Sequence, residues 1–269
     1  MKYAYLETNI INKALDQLIT GGQLRDLLEA EGFLPKFGIH GIYELARTFL
    51  NEQNTEIGKK LFTILQDLDP SYQPTVNMLL EQEIVKLRTG SSVLPFLDQL
   101  NQAATKQEVL KLARGVFDDK ARDFISNREK GIKENHQGMA KDYIDRAKSI
   151  QKKIRTFEQA LSELKPDFPD LIYKMLHKKV SISEARELDM RLNTFPAIRT
   201  TAMANAYMTS ISIIHSNAPG KDKIDDFRHL IEASYCNAFL TGDNQLCKAA
   251  GYINPEIEVI KWDDFVKEQ

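Results

Sequence analysis

Two cysteines, Cys236 and Cys247, are all the thiol chemistry this 269-residue chain carries. That number excludes a disulfide framework, and their spacing fits no zinc pattern. It suits a reducing compartment, so a cytoplasmic setting is the expectation. No apolar run approaches the roughly 18 residues a membrane span needs. The start does not read as a signal peptide either: Met1-Lys2-Tyr3-Ala4-Tyr5-Leu6 runs straight into Glu7, with no long apolar region and no small-residue cleavage site. An excess of charge of one sign is lacking too. The 36 Lys+Arg and 38 Asp+Glu leave a net charge of −2, which excludes a polybasic binder of the histone type but leaves room for a local basic groove. What is present is ordinary globular material: 42% hydrophobic residues and 13 glycines, enough to bury a sizeable core and to exclude disorder as the main state.

The first fifty residues alternate. Tyr3–Leu6 reads as a short strand, and Ile10, Ile11, Ala14, Leu15 and Leu18 then recur at helical spacing. A second helix is expected at about Gln23–Glu31, a second strand at Phe37–His40, and a helix carrying Glu44 at Ile42–Asn51. Between about 54 and 192 the periodicity is helical throughout and no strand is expected. Within Asp118–Leu164 the residues Tyr143, Ala147, Ile150, Ile154, Phe157, Leu161 and Leu164 are spaced alternately four and three apart. That is a heptad seam of about three repeats, and it predicts one long helix of a protruding hairpin. The seam serves either packing within the chain or a coiled-coil dimer. After Pro196 the alternation resumes, with helices at Ala197–His215, Asp225–Cys236 and Asn244–Ala250 and strands at Ala238–Thr241 and Ile257–Ile260. The expected architecture is therefore α/β: residues 1–70 and 193–269 form a core with a parallel sheet of about four strands, and 71–192 form a mostly helical insertion. Cys236 follows an apolar helix face and reads as core.

Four acids from distant stretches fall where strands end or helices begin: Glu7, Glu44, Asp226 and Asp243. Taken singly, each has a plainer reading. Acids favour helix first turns, Asp243 sits in a Thr-Gly-Asp-Asn turn, and Glu44 suits a solvated helix face. Glu7 is the hardest to dismiss, because a carboxylate closing a buried strand is desolvated. Together they argue for a cation. Two carboxylates about 4 Å apart repel by roughly 4 kcal/mol at an effective dielectric near 20. A set of four therefore needs raised pKa values or a divalent ion, and an all-oxygen set suits Mg²⁺ or Mn²⁺. Such an ion at strand ends commonly serves a phosphate group.

At this point the chain resembles the PIN-domain nuclease family. Tyr5-Leu6-Glu7-Thr8-Asn9 matches that family's first strand and its Asp-Thr-Asn motif. Gly41-Ile42-Tyr43-Glu44-Leu45-Ala46-Arg47 matches the helical acid. Asp226, with His229-Leu230 and Ala233, matches the third motif, and Phe239-Leu240-Thr241-Gly242-Asp243 the strand ending Thr-x-Asp. The resemblance covers the two end segments, about half the chain, and says little about the helical middle. It implies a metal-dependent endoribonuclease with Mg²⁺ or Mn²⁺ held by Glu7, Asp226 and Asp243, and with Glu44 completing the pocket. Asn9 and Thr241 would orient acids and water, and His229 would either contact substrate or pack as a helix histidine. Two departures stand out. Glu7 replaces the usual Asp, and the chain is far longer than the compact toxin-type members.

A basic run, Arg146, Lys148, Lys152, Lys153 and Arg155, is a candidate nucleic-acid contact, with a solvated helix face as the alternative. Lys174, Lys178 and Lys179 form a second cluster of the same kind. The expected partner is RNA, with DNA as the rival, because the motifs do not distinguish a 2′-hydroxyl. A homodimer or higher oligomer is expected from the seam and the family, with room for an inhibitory protein partner. Other readings stay open: a degenerate binding scaffold caused by Glu7, and a small-molecule binder. The lack of Gly-x-Gly-x-x-Gly after the first strand argues against a dinucleotide.

Overall fold

The computed structural model describes residues 2–150, 154–176 and 179–267, apart from the side chains of Ser149 and Lys221. Strand β1 (Lys2–Leu6) leads into α1 (Thr8–Asp16) and α2 (Gly21–Ala30). Strand β2 (Phe33–Gly38) leads into α3 (Ile39–Ala46) and α4 (Thr55–Leu68), and β3 (Ser71–Gln73) into α5 (Val76–Thr89). Then come α6 (Gln99–Ala113), α7 (Asp119–Ser149), α8 (Phe157–Leu164), α9 (Phe168–Met175), α10 (Ile182–Met190), α11 (Pro196–His215) and α12 (Lys221–Glu232). Strand β4 (Ala238–Thr241), α13 (Asn244–Ile253), β5 (Glu258–Lys261) and α14 (Trp262–Lys267) complete the chain.

The strands form one sheet in the order β3-β2-β1-β4-β5, and every pairing is parallel. Parallel strands need helical crossovers, and those helices cover both faces. Ala4, Leu6, Phe33 and Phe37 pack on one side with residues of α1, α2 and α4. Tyr5 and Phe239 pack on the other with α11, α12 and α13. Both faces being buried explains why β1 and β4 read as unbroken apolar runs.

The α/β class matches expectation, but three details differ. First, the sheet has a fifth strand, β3, so the sheet extends past residue 70. Ser71-Tyr72-Gln73 lies between Pro70 and Pro74, and three residues so bounded give no periodic signal. Second, β2 lies upstream of the expected 37–40, and His40 belongs to α3. Pro35 hid it, since proline argues against a central strand; it sits just before the first β2–β3 pair, Lys36 with Ser71. Third, the long helix ends early. Ile150 is extended, and Thr156 caps a new helix through the Gln159 N–H at 3.3 Å. The seam is thus split between α7 and α8. Tyr143, Ile154, Phe157 and Leu164 are buried within the chain, so among the described residues these seam positions pack inside the monomer.

Gly38 shows how tightly the site end of the sheet is packed. It precedes α3, and a β-carbon there would collide with the Glu232 carboxylate and the Tyr5 hydroxyl. Gly38→Ala is expected to destabilise the fold by about 1–3 kcal/mol through overpacking. Urea denaturation checks this; an unchanged midpoint would mean that Glu232 does not occupy this space.

Candidate acidic site at the sheet switch point

The strand order reverses at β1: β2 and β3 lie on one side of it, β4 and β5 on the other. In open parallel sheets this is where a crevice opens beyond the carboxyl ends of the strands. Glu7 leaves β1 there, and Asp243 follows β4. Leu6 pairs with Leu240, and the Glu7 N–H donates to the Leu240 carbonyl at 3.0 Å. The next residue of β4, Thr241, therefore lies beside Glu7. Its hydroxyl donates to Glu7 Oε2 and accepts from the Asp243 N–H at 3.0 Å, so one fixed rotor serves both acids. Asn9 Oδ1 accepts from the Gly242 N–H at 3.0 Å and ties α1 to the same turn.

Asp243 also caps α13, with Oδ1 accepting from the Gln245 and Leu246 N–H groups at 2.6 and 3.1 Å. The plain capping reading is therefore true of one oxygen of Asp243. It fails for Asp226. The helix α12 begins at Lys221, five residues earlier, so Asp226 lies within the helix rather than at its start. Burial, then the Glu7 charge, pushes the Asp226 carboxyl up to about 7, and Asp243 and Glu44 add to the repulsion. Burial raises Glu7 as well, although the His229 charge and the Thr241 hydroxyl act against it. The four acids thus share one electrostatic neighbourhood.

Glu44 differs from the other three. Its Oε2 accepts from the Thr8 hydroxyl at 2.5 Å and from His229 Nε2 at 2.8 Å. Its Oε1 accepts from the Arg47 guanidinium at 3.3 Å and lies 3.4 Å from His40 Nε2. Burial alone would raise its pKa, but the charge and hydrogen bond of His229 and the hydrogen bond of His40 overcome it and hold the carboxyl far below the usual range. Glu44 is a charge already spoken for.

The hydrogen-bond roles fix the state of His229. Tyr5 Oη donates to Glu232 Oε2 at 2.8 Å, so toward His229 Nδ1, also at 2.8 Å, it accepts. Nδ1 then carries a proton, and Nε2 donates to Glu44. The ring is an imidazolium. Burial opposes that charge, but Glu44, then Glu7 and Glu232, raise the ring to about 9. His40 is the opposite case. Burial lowers it to about 4, and its Nδ1 accepts from the Arg128 guanidinium at 3.0 Å. It is neutral, with its Nε2 proton facing Glu44. Glu232, wholly buried on α12, is pushed by burial up to about 7.

His40, Glu44 and His229 present ligand atoms within 4.8 Å of one another, a spacing that could hold an ion. Their donor roles argue otherwise at neutral pH. The His229 ring has no lone pair to give, the Nδ1 lone pair of His40 is used by Arg128, and the imidazolium already neutralises Glu44. Among the described residues Glu7, Asp226 and Asp243 do not form a set within that spacing.

Sequence reasoning found the acids and His229 but missed Tyr5, Thr8, His40, Arg128 and Glu232. Only Glu232 left a trace, three residues past His229 on the same helix. Of the basic run, Arg146 and Lys148 lie in the last turn of α7 and Arg155 beyond the break, while Lys152 and Lys153 lie outside the described residues, as does Lys178 of the second cluster. Arg146 and Lys148 lie on α7, and Arg155 lies beyond its end, so these described cations do not flank one continuous helical seam.

Removing one partner of a buried ion pair typically costs about 3–5 kcal/mol. His229→Ala is expected to fall in that range at pH 7. A raised histidine pKa contributes its full stability below about 6.5 and loses it as pH rises through about 9. The penalty should therefore shrink at pH 9.5. Urea titrations at both pH values decide it, and a pH-independent penalty would mean that His229 is neutral.

No protein-family model matches this sequence, and comparisons with curated proteins and with solved structures return no match either, so what the site does is read from its own residues.

Proposed function

We propose that the protein is a metal-dependent endoribonuclease whose working acids are Glu7, Asp226 and Asp243. The observation that carries this reading is the mutual repulsion of three carboxylates, Glu7 after β1, Asp226 on α12 and Asp243 after β4, with Glu7 and Asp226 both raised by burial and by that repulsion. The donor set suits a divalent cation. Its ligands are hard oxygens, and burial and mutual repulsion raise Glu7 and Asp226 even though the nearby His229 charge acts against both. Glu44 does not fit as a ligand, since its charge is met by His229 and Arg47; its part is to hold α3 and α12 together under the pocket. When bound, Mg²⁺ or Mn²⁺ would supply an activated water and charge relief at a phosphodiester. The chain's own residues do the rest. Thr241 and Asn9 hold Glu7 and the β4–α13 turn in place, and the Asp243 cap leaves its second oxygen to the crevice.

A second reading, a nucleic-acid-binding scaffold without turnover, draws support from two features. Glu7 stands where the resembled family has Asp, and Glu44 is withdrawn from the pocket. Cleavage of end-labelled single-stranded RNA and matched DNA in Mn²⁺, Mg²⁺ or EDTA separates the readings. The expected result is metal-dependent RNA cutting that falls more than about 10²-fold in Asp243→Asn, since such contacts supply several kcal/mol. Glu7→Asp should cut faster. Cutting by Glu7→Asp alone would favour the scaffold reading, and preference for DNA would change the substrate.

Metal binding should also depend on pH. Asp226 must lose its proton to serve as a ligand, and it does so near 7. Mn²⁺ affinity measured by calorimetry is expected to rise between pH 6 and pH 8, and Asp226→Asn to weaken binding and flatten that rise. Equal affinity at both pH values in the wild type would remove Asp226 from the ligand set.

A further inference from the structure

Beside the acids lies a cleft of about 160 Å³ between α11, α12 and α13, lined by Tyr207, Lys223, Asp226, Phe227, Gln245 and Lys248 among others. One of its walls is thus Asp226 itself. Tyr207 and Phe227 line it, and Tyr252 and Phe157 pack on Tyr207 behind them, so the rings come from four helices. Tyr207 and Tyr252 stack at 6.0 Å with an interplanar angle of 25°. Phe157 tilts against both, at 5.4 and 5.1 Å, and Phe227 meets Tyr207 edge-on at 5.7 Å. Tyr252 remains 44% exposed, so one end of this assembly is open to solvent. Among the described residues neither lysine is engaged in an ion pair. Lys223 Nζ donates to Gln245 Oε1 at 3.1 Å, and Lys248 is exposed.

These pieces answer a problem the acids create. A pocket that gathers several carboxylates repels a polyanion, and a strand approaching it is helped by cations next to the pocket. Lys223 and Lys248 stand there. A partly exposed tyrosine pair beside such cations is the kind of arrangement that holds single strands, with rings for bases and ammonium groups for phosphates. We propose that this cleft seats one nucleotide of the single-stranded RNA substrate adjacent to the scissile phosphate, with its base against the Tyr207–Tyr252 rings and a backbone phosphate at Lys223 and Lys248. This rests on the nuclease reading and deepens it. It makes Tyr252 and the two lysines positioning residues, and it gives α8, through Phe157, a part in substrate selection.

The test uses a single-stranded 12-nucleotide oligouridylate labelled with fluorescein and carrying one 2-aminopurine, titrated in EDTA so that it is not cut. Tyr252→Ser, at an exposed position, should weaken binding about tenfold and abolish quenching of the 2-aminopurine, which a change in fold alone would not do selectively. The double variant Lys223→Gln/Lys248→Gln should lower the slope of log affinity against log salt by about 0.7 for each phosphate no longer neutralised. Circular dichroism confirms folding of both. Cleavage by the wild type in Mn²⁺ is followed in parallel. If the wild type cuts and binds while both variants keep its affinity, quenching and salt slope, the cleft assignment is overturned and the nuclease reading stands. If the wild type neither binds nor cuts, both fall together.

Discussion

The ion pair between His229 of α12 and Glu44 of α3 is the interaction around which the site end of the fold is arranged. It spans 185 residues of sequence and draws α3 and α12 together over β1. Each partner is charged because of the other. Burial would neutralise the imidazole and protonate the carboxyl, yet their mutual field moves both the opposite way. Tyr5 then fixes the far side of the ring and directs its own proton to Glu232, and Thr8 completes Glu44. Gly38 is required because Glu232 and Tyr5 fill the space a side chain would take. The pair also reaches α7, through Arg128 at His40 and Glu129 at Arg47.

This scaffold separates two kinds of acid that look alike in the sequence. Glu44 faces donors that hold its charge and serves as an internal anchor, while Glu232 accepts from Tyr5 but is raised by burial. Glu7 raises Asp226 by its charge, and that repulsion adds to the effect of burial. Charges that are matched stabilise; charges that are unmatched are available to a ligand. The proximity of His229 tempers Glu7, so the network also sets how much negative charge the crevice keeps.

What the sequence made legible follows a physical rule. Strands β1 and β4 announced themselves because buried parallel strands are apolar runs, and their ends located Glu7 and Asp243. Strand β3 and the true start of β2 were obscured by prolines, whose backbone cost is visible locally while the pairing that offsets it is not. The heptad spacing through Tyr143 and Leu164 was real as burial but not as one helix. Its two halves pack in different surroundings, with Tyr143 in the layer of α11–α13 and Leu164 among α8–α11. Glu44 was located correctly, yet its role was invisible, because its partners lie as far away as residue 229. The PIN-like resemblance remains a reading of motifs, and the α/β parallel sheet is the part of it that the fold carries.

The helical middle is bound into this logic more closely than an appended segment would be. Its first residues are the β3 edge of the sheet, α6 and α4 share a core through Val109, Leu112 and Leu61, and α8 delivers Phe157 to the rings beside Asp226. The longer side chain of Glu7 belongs to the same account. A glutamate reaches further from β1 than an aspartate, and its outer oxygen is secured by Thr241, a residue already held by the Asp243 backbone. The extra methylene is therefore constrained at its far end rather than left to swing. An aspartate at this position would fall short of Thr241 by about one carbon–carbon bond, so the hydroxyl that secures the Glu7 carboxylate would lose its partner.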